Sequence, residues 1–128
     1  MFEWLFEKDA EGAIKGLTLE WRCCGCDGLN FRILSKGERR AGEYHTHCRY
    51  CRWRFRVIFP PQDEPVVGET EFMGRLDEED FSEEVKTDLI RDFAEIAALR
   101  ADHAPAGAVK EKEKALQMKI DSAKRRRH

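Results

Sequence analysis

Long apolar runs are missing from this 128-residue chain. Its apolar stretches, such as residues 4–6 and 57–61, fall far short of the roughly 20 residues that cross a bilayer, so no segment reads as a membrane span. The pattern of a secretory leader is missing too. Glu3, Glu7 and Asp9 stand where a leader carries positive charge ahead of a long apolar stretch. A cytoplasmic setting is therefore expected, and there disulfides are disfavoured, so the five cysteines need another explanation. No nucleophile stands with a base, and no glycine-rich loop is built to cradle phosphate. No enzymatic activity and no small-molecule substrate are expected.

Charge, by contrast, is abundant. Asp, Glu, Lys and Arg make up 38% of the chain against 41% hydrophobic residues. They are also sorted. Residues 15–58 hold ten basic and four acidic side chains, residues 63–102 four and fourteen, and residues 103–128 eight and three. The formal net charge of −2 conceals this partition. Segregation on that scale implies segments with different partners, or segments that fold onto one another.

The basic stretch has the period of β structure. Leu17, Leu19 and Trp21 alternate with polar residues, and the alternation resumes through Phe31 and Ile33 after Gly28. Residues 35–42, polar with two glycines, read as a hairpin connection. Over residues 52–59, Trp53, Phe55, Val57 and Phe59 fall on one face, expected to be buried, and Arg52, Arg54 and Arg56 fall on the other. Pro60, Pro61 and Pro65 then stop regular structure, which makes residues 60–79 an acidic, proline-bearing linker. Asp80 and Glu83 have the spacing of a capping box. Behind them Phe81, Val85, Leu89, Phe93, Ile96 and Leu99 recur at spacings of three and four, the mark of an amphipathic helix that runs to about Arg100 with an acidic opposite face. Pro105 and Gly107 break it. A second helix is expected over residues 109–124, followed by a disordered basic tail, while Phe2, Trp4, Leu5 and Phe6 are expected to cap the core.

The strongest motif is Cys23-x2-Cys26 with Cys48-x2-Cys51, the spacing of a four-thiolate zinc site. Each pair lies at a turn between strands, so that both its sulfurs can face one ion. Four such ligands close a tetrahedron and leave no position for water or substrate, which makes the metal structural. Residues 17–59 are too few to bury a large core, so metal binding and folding should be linked. The same four thiolates accept iron in rubredoxin-like fashion, and a redox dithiol is the remaining chemistry for such pairs, although no βαβ pattern surrounds them. Cys24 is a spare thiol beside the first pair or a substitute ligand within it. His45 and His47 share a strand face and are read as exposed polar residues, since four cysteines already fill the shell.

Cys48-Arg-Tyr-Cys51-Arg-Trp53-Arg-Phe55 resembles the terminal knuckle and strand of the zinc-ribbon family found in transcription elongation factors and small RNA polymerase subunits. Trp21 and Asn30, around the first pair, fit the looser first-knuckle pattern. The resemblance covers residues 17–59. It implies a binding scaffold for nucleic acid or nucleic-acid machinery. Two departures matter: no glycine follows Cys51, and Lys36, Glu38, Arg39 and Arg40 replace the adjacent Asp-Glu pair with which the cleavage-stimulating elongation factors assist a polymerase. That assistance is not carried over.

The expected architecture is therefore α+β: a small antiparallel zinc ribbon over residues 1–59, a linker over 60–79, one or two helices over 80–124, and a basic tail at 125–128. Arg32, Arg39, Arg40, Arg49, Arg52, Arg54 and Arg56 are the expected nucleic-acid contacts, because a guanidinium fork donates two bonds to phosphate at once. Tyr44 and Tyr50 could add base stacking, which favours single strands. The competing expectation is an adaptor, in which residues 63–102 recruit a protein through Phe81, Val85, Leu89, Phe93 and Ile96 or fold over the basic sheet.

Overall fold

Short alternating stretches build five strands in the first part of the chain: β1 (Lys8–Lys15), β2 (Thr18–Arg22), β3 (Leu29–Ile33), β4 (Glu43–His47) and β5 (Arg54–Ile58). The structure, a computed structural model, describes residues 7–62 and 66–126 and divides into two units, Met1–Glu64 and Pro65–His128. Residues 2–6, expected to cap the core, lie outside the described residues, as do the last two of the tail.

In the first unit the strands form one sheet in the order β3-β2-β1-β5-β4. Two antiparallel hairpins, β2–β3 and β4–β5, are joined by β1, which runs against β2 and alongside β5. The parallel β1–β5 pair departs from the expected all-antiparallel ribbon. It has a consequence for the site: β2 runs toward the N-terminal side of β1, with Trp21 opposite Gly12, and β5 starts there, with Phe55 opposite Lys8, so the two cysteine turns lie toward the same end of the sheet. Leu19, Trp21, Phe55 and Val57 fill the inner face together with Cys23, Leu34, Cys48 and Phe59. β1 contributes Ala10, Gly12 and Ile14 to that face. At Gly12 an added Cβ would lie 2.6 Å from Val57 and 2.8 Å from Leu19 side-chain carbons, so the curl of the sheet leaves room for hydrogen alone. The curl brings the edge strands together, with Arg32 Nε donating to Tyr44 Oη at 3.0 Å.

Three expectations for this unit are corrected. Phe31 and Ile33 are not core residues: they lie opposite Glu20 and Thr18 on the outer face and are exposed, while Asn30, just before them and opposite Trp21, turns inward. Trp53 is 48% exposed because Arg52, at φ 69°, breaks the extended run and delays the strand to Arg54. Residues 35–42 hold a helix, α1 (Lys36–Ala41), in place of a plain hairpin turn. Ser35 Oγ accepts from the Glu38 amide and Glu38 accepts from the Ser35 amide, a capping box that starts the helix, and Gly42 at φ 79° ends it.

The second unit contains α2 (Glu69–Glu78), α3 (Glu83–Ala101) and α4 (Ala106–Arg126). α2 lies within the stretch expected to be irregular. The prolines stop at Pro65, and Phe72 and Leu76, one turn apart, give the segment an apolar face to bury. Phe72 stacks on Phe93 of α3 at 4.4 Å between centroids. Ser82, not Asp80, caps α3, its Oγ accepting from the Val85 amide at 3.3 Å. α4 continues through residues 125–126, where a disordered tail was expected. Leu89, Phe93 and Ile96 are buried with Leu116 and Ile120 of α4. The acidic stretch has found its complement within the unit: Lys112 pairs with Glu95, Lys119 with Asp88 and Asp92, Lys124 with Glu79, and Arg100 with Glu113. Among the described residues no helix is long and apolar enough to cross a membrane.

Candidate metal centre

Both cysteine turns close in the same way. In the first, the Cys23 amide donates to Gly28 O and the Asp27 amide to Cys23 O; in the second, the Cys48 amide donates to Trp53 O and the Arg52 amide to Cys48 O, all at 2.8–3.0 Å. The residue four beyond the leading cysteine takes a left-handed conformation each time, Asp27 at φ 60° and Arg52 at φ 69°. This fold of the backbone aims amides at sulfur. Gly25 and Cys26 N–H point at Cys23 Sγ at 3.3 and 3.4 Å, and Tyr50 N–H points at Cys48 Sγ at 3.4 Å.

The four sulfurs of Cys23, Cys26, Cys48 and Cys51 all lie within 4.8 Å of one another. Cys23–Cys51 and Cys26–Cys48 are each 3.6 Å apart, too far for a disulfide. A tetrahedron with metal–sulfur bonds of about 2.3 Å has edges of about 3.8 Å, so the cluster has the dimensions of a tetrathiolate site. All four donors are soft thiolates, the set that zinc and iron accept. Cys24 is exposed and stands outside the cluster. His45 and His47 are exposed on β4, and His45 Nδ1 lies 2.9 Å from the Glu7 carboxylate.

The thiols are not equivalent. Burial alone would push the Cys48 thiol up, but the Cys51 and Tyr50 amides and the Asn30 carboxamide outweigh it and bring it down to about 6. Cys23 is lowered for the same reason: burial opposes its thiolate, and the Cys26 and Gly25 amides overcome that opposition. At Cys26 the Gly28 amide favours the thiolate, yet desolvation and the neighbouring sulfurs prevail and raise it to about 12. Cys51 is raised in the same manner against the pull of the Trp53 amide. One sulfur of each pair is thus biased toward its thiolate, and Cys26 and Cys51 must shed a proton on binding metal.

Asn30, noted in the sequence only as part of a loose pattern, ties the turns together. Buried at 3% exposure, it donates through Nδ2 to Gly28 O at 3.3 Å and to Cys48 Sγ at 3.6 Å, and accepts through Oδ1 from the Arg49 amide at 2.8 Å. Aromatic rings of the second turn lie against glycines of the first. A Cβ at Gly28 would sit 2.3 Å from the Tyr50 ring, and one at Gly25 would sit 3.7 Å from the Trp53 ring. The signal for both contacts is in the chain, glycine in one turn where the other carries Tyr and Trp, but it becomes legible only once the turns face each other.

The seven arginines do not form one surface. Arg39 is 1% exposed and donates to Leu34 O at 2.7 Å, which removes it from any phosphate contact and gives it a structural role. Arg56 is engaged by Asp9 through two bonds of 3.0 and 3.1 Å, with Glu43 at 3.8 Å; the same hydrogen bonds hold the Asp9 carboxyl below its usual range. Arg32 Nε is committed to the Tyr44 hydroxyl at 3.0 Å, with the guanidinium 5.6 Å from the Tyr44 ring. Arg40, Arg49, Arg52 and Arg54 are exposed. Arg49 and Arg52 flank Cys51 in the second turn, and Arg54 opens β5 beyond it. In the second unit Phe81, Leu89, Phe93 and Ile96 are buried and Val85 is half-buried, so the face expected to meet a protein partner packs within its own unit. Compared with family models, curated proteins and solved structures, the chain matches none.

Proposed function

We propose that this chain is a non-enzymatic accessory factor whose first unit, a zinc-ribbon-like module, binds nucleic acid or a nucleic-acid-processing complex. The four-sulfur cluster carries the reading. It supplies a closed donor set, Cys23, Cys26, Cys48 and Cys51, for one structural zinc ion, and it fixes the turn on which Arg49 and Arg52 stand beside Arg54. A closed shell offers no position to activate water, so the metal's task is to hold shape. The basic contacts are reduced from seven to those exposed near the metal turn, together with Arg40 on α1. The adaptor alternative loses its main support, because Leu89, Phe93 and Ile96 are covered within the second unit.

Fluorescence polarisation of the zinc-loaded chain with labelled oligonucleotides tests this. Binding should weaken steeply with salt, since each phosphate neutralised on a single strand contributes a slope of about −0.7 in log K against log salt. Replacing Arg49, Arg52 and Arg54 by Gln should lower both affinity and slope. No binding at low salt overturns the reading.

A further inference from the structure

Trp53 and Tyr50 are large aromatic residues left 48% and 60% exposed beside the metal turn. Each is braced from behind: the Trp53 ring lies against Gly25 and the Tyr50 ring against Gly28, both in the opposite turn. Each also has a cation at its ring, Lys8 Nζ at 3.6 Å from the Trp53 centroid and the Arg49 guanidinium at 5.3 Å from that of Tyr50. Lys8, Arg49 and Arg52 are all exposed. A tetrathiolate-bound zinc brings two net negative charges at the sulfurs, which the three exposed cations Lys8, Arg49 and Arg52 exceed. The outer surface of the turns therefore offers two aromatic rings packed against backbone among exposed positive side chains.

We infer that this surface binds single-stranded nucleic acid by stacking bases on Trp53 and Tyr50, with Lys8, Arg49 and Arg52 meeting the backbone phosphates. The inference rests on the nucleic-acid reading above and narrows it to one strand state and one surface. The charge favours a polyanion. The flat rings favour one whose bases are unpaired, because a duplex keeps its base faces stacked on each other. Rings already fixed against glycine lose little freedom when a base settles on them. Lys8 and Arg49 swing from the ring faces to phosphate as the bases arrive.

The test compares a labelled oligothymidylate with a duplex of equal length, using the zinc-loaded full chain. The single strand should bind tighter. Trp53→Leu should weaken it by at least about tenfold, while Trp53→Phe, which keeps a ring, should retain most of the affinity. Metal content is measured on each variant. Loss of binding only in step with loss of zinc makes the rings structural covers and overturns the inference. A second readout needs no variant of the site itself: in a Trp4→Phe chain, Trp53 and the buried Trp21 are the remaining tryptophans, and saturating oligothymidylate should quench emission and shield it from iodide. Unchanged emission overturns stacking. If Trp53→Leu has no effect while Arg49→Gln and Arg52→Gln weaken strand and duplex alike, stacking fails and phosphate contact stands. If neither oligonucleotide binds, the functional reading fails with it.

Discussion

Replacing Asn30 by Ala should damage the metal site from outside its ligand set. The side chain is buried and its two ends reach both cysteine turns, through Gly28 O and Cys48 Sγ on one side and the Arg49 amide on the other. Truncation leaves the Arg49 N–H without its acceptor, at about 1–3 kcal/mol, and removes a bond to the Cys48 sulfur worth about 1 kcal/mol more. The sum, about 2–4 kcal/mol, lowers the Tm of a unit of this size by about 8 °C or more. The part that falls on sulfur appears as zinc affinity about fivefold weaker, because Cys48 loses a donor that favours its thiolate. Asn30→Asp is the harsher change: it keeps an acceptor for the Arg49 amide but buries a carboxylate against Gly28 O and Cys48 Sγ, so it should be no more stable than the alanine variant and should bind zinc more weakly still. Thermal melts and chelator competition measure both. Unchanged Tm and unchanged zinc affinity in Asn30→Ala would refute the reasoning.

Zinc affinity should rise with pH, since Cys26 and Cys51 have raised pKa values and must lose their protons to bind, whereas Cys48 at about 6 is already a thiolate at pH 7; competition titrations between pH 7 and 8 should give a slope of about two to three protons per ion, and a slope near zero contradicts the assignment. Arg39→Ala should destabilise the first unit by about 3 kcal/mol or more in chemical denaturation, by leaving the Leu34 carbonyl without its buried donor, and should leave oligonucleotide affinity unchanged wherever the variant is folded. Phe93→Ala removes the partner stacked on Phe72 and should cost the second unit about 3–5 kcal/mol; helical circular dichroism should melt earlier while zinc content stays the same.

The cysteine pairs and the strands that frame them were legible because spacing and period-two alternation are local signals. Leu19 and Trp21, then Phe55, Val57 and Phe59, are buried as their alternation requires. β1 was not legible. Its inner residues are Ala10, Gly12 and Ile14, and at Gly12 Val57 and Leu19 leave no room for a side chain, so Ile14 alone remains as a large apolar marker of the strand. α1 carried its Ser35–Glu38 capping box in plain view, but six helical residues ended by a glycine look like a polar turn. Trp53 was misplaced because alternation cannot register the left-handed Arg52 that interrupts it. Arg39 and Arg56 were read as phosphate contacts because sequence shows charge and hides partners: one is buried on a carbonyl, the other is clasped by Asp9.

One structural ion gripped by four sulfurs is tested most directly by elemental analysis of freshly purified chain, combined with circular dichroism before and after a strong chelator. One equivalent of zinc per chain is predicted, with β-sheet signal lost on chelation and restored by added zinc. Metal-free material with the same spectrum, or a spectrum indifferent to the chelator, would contradict it.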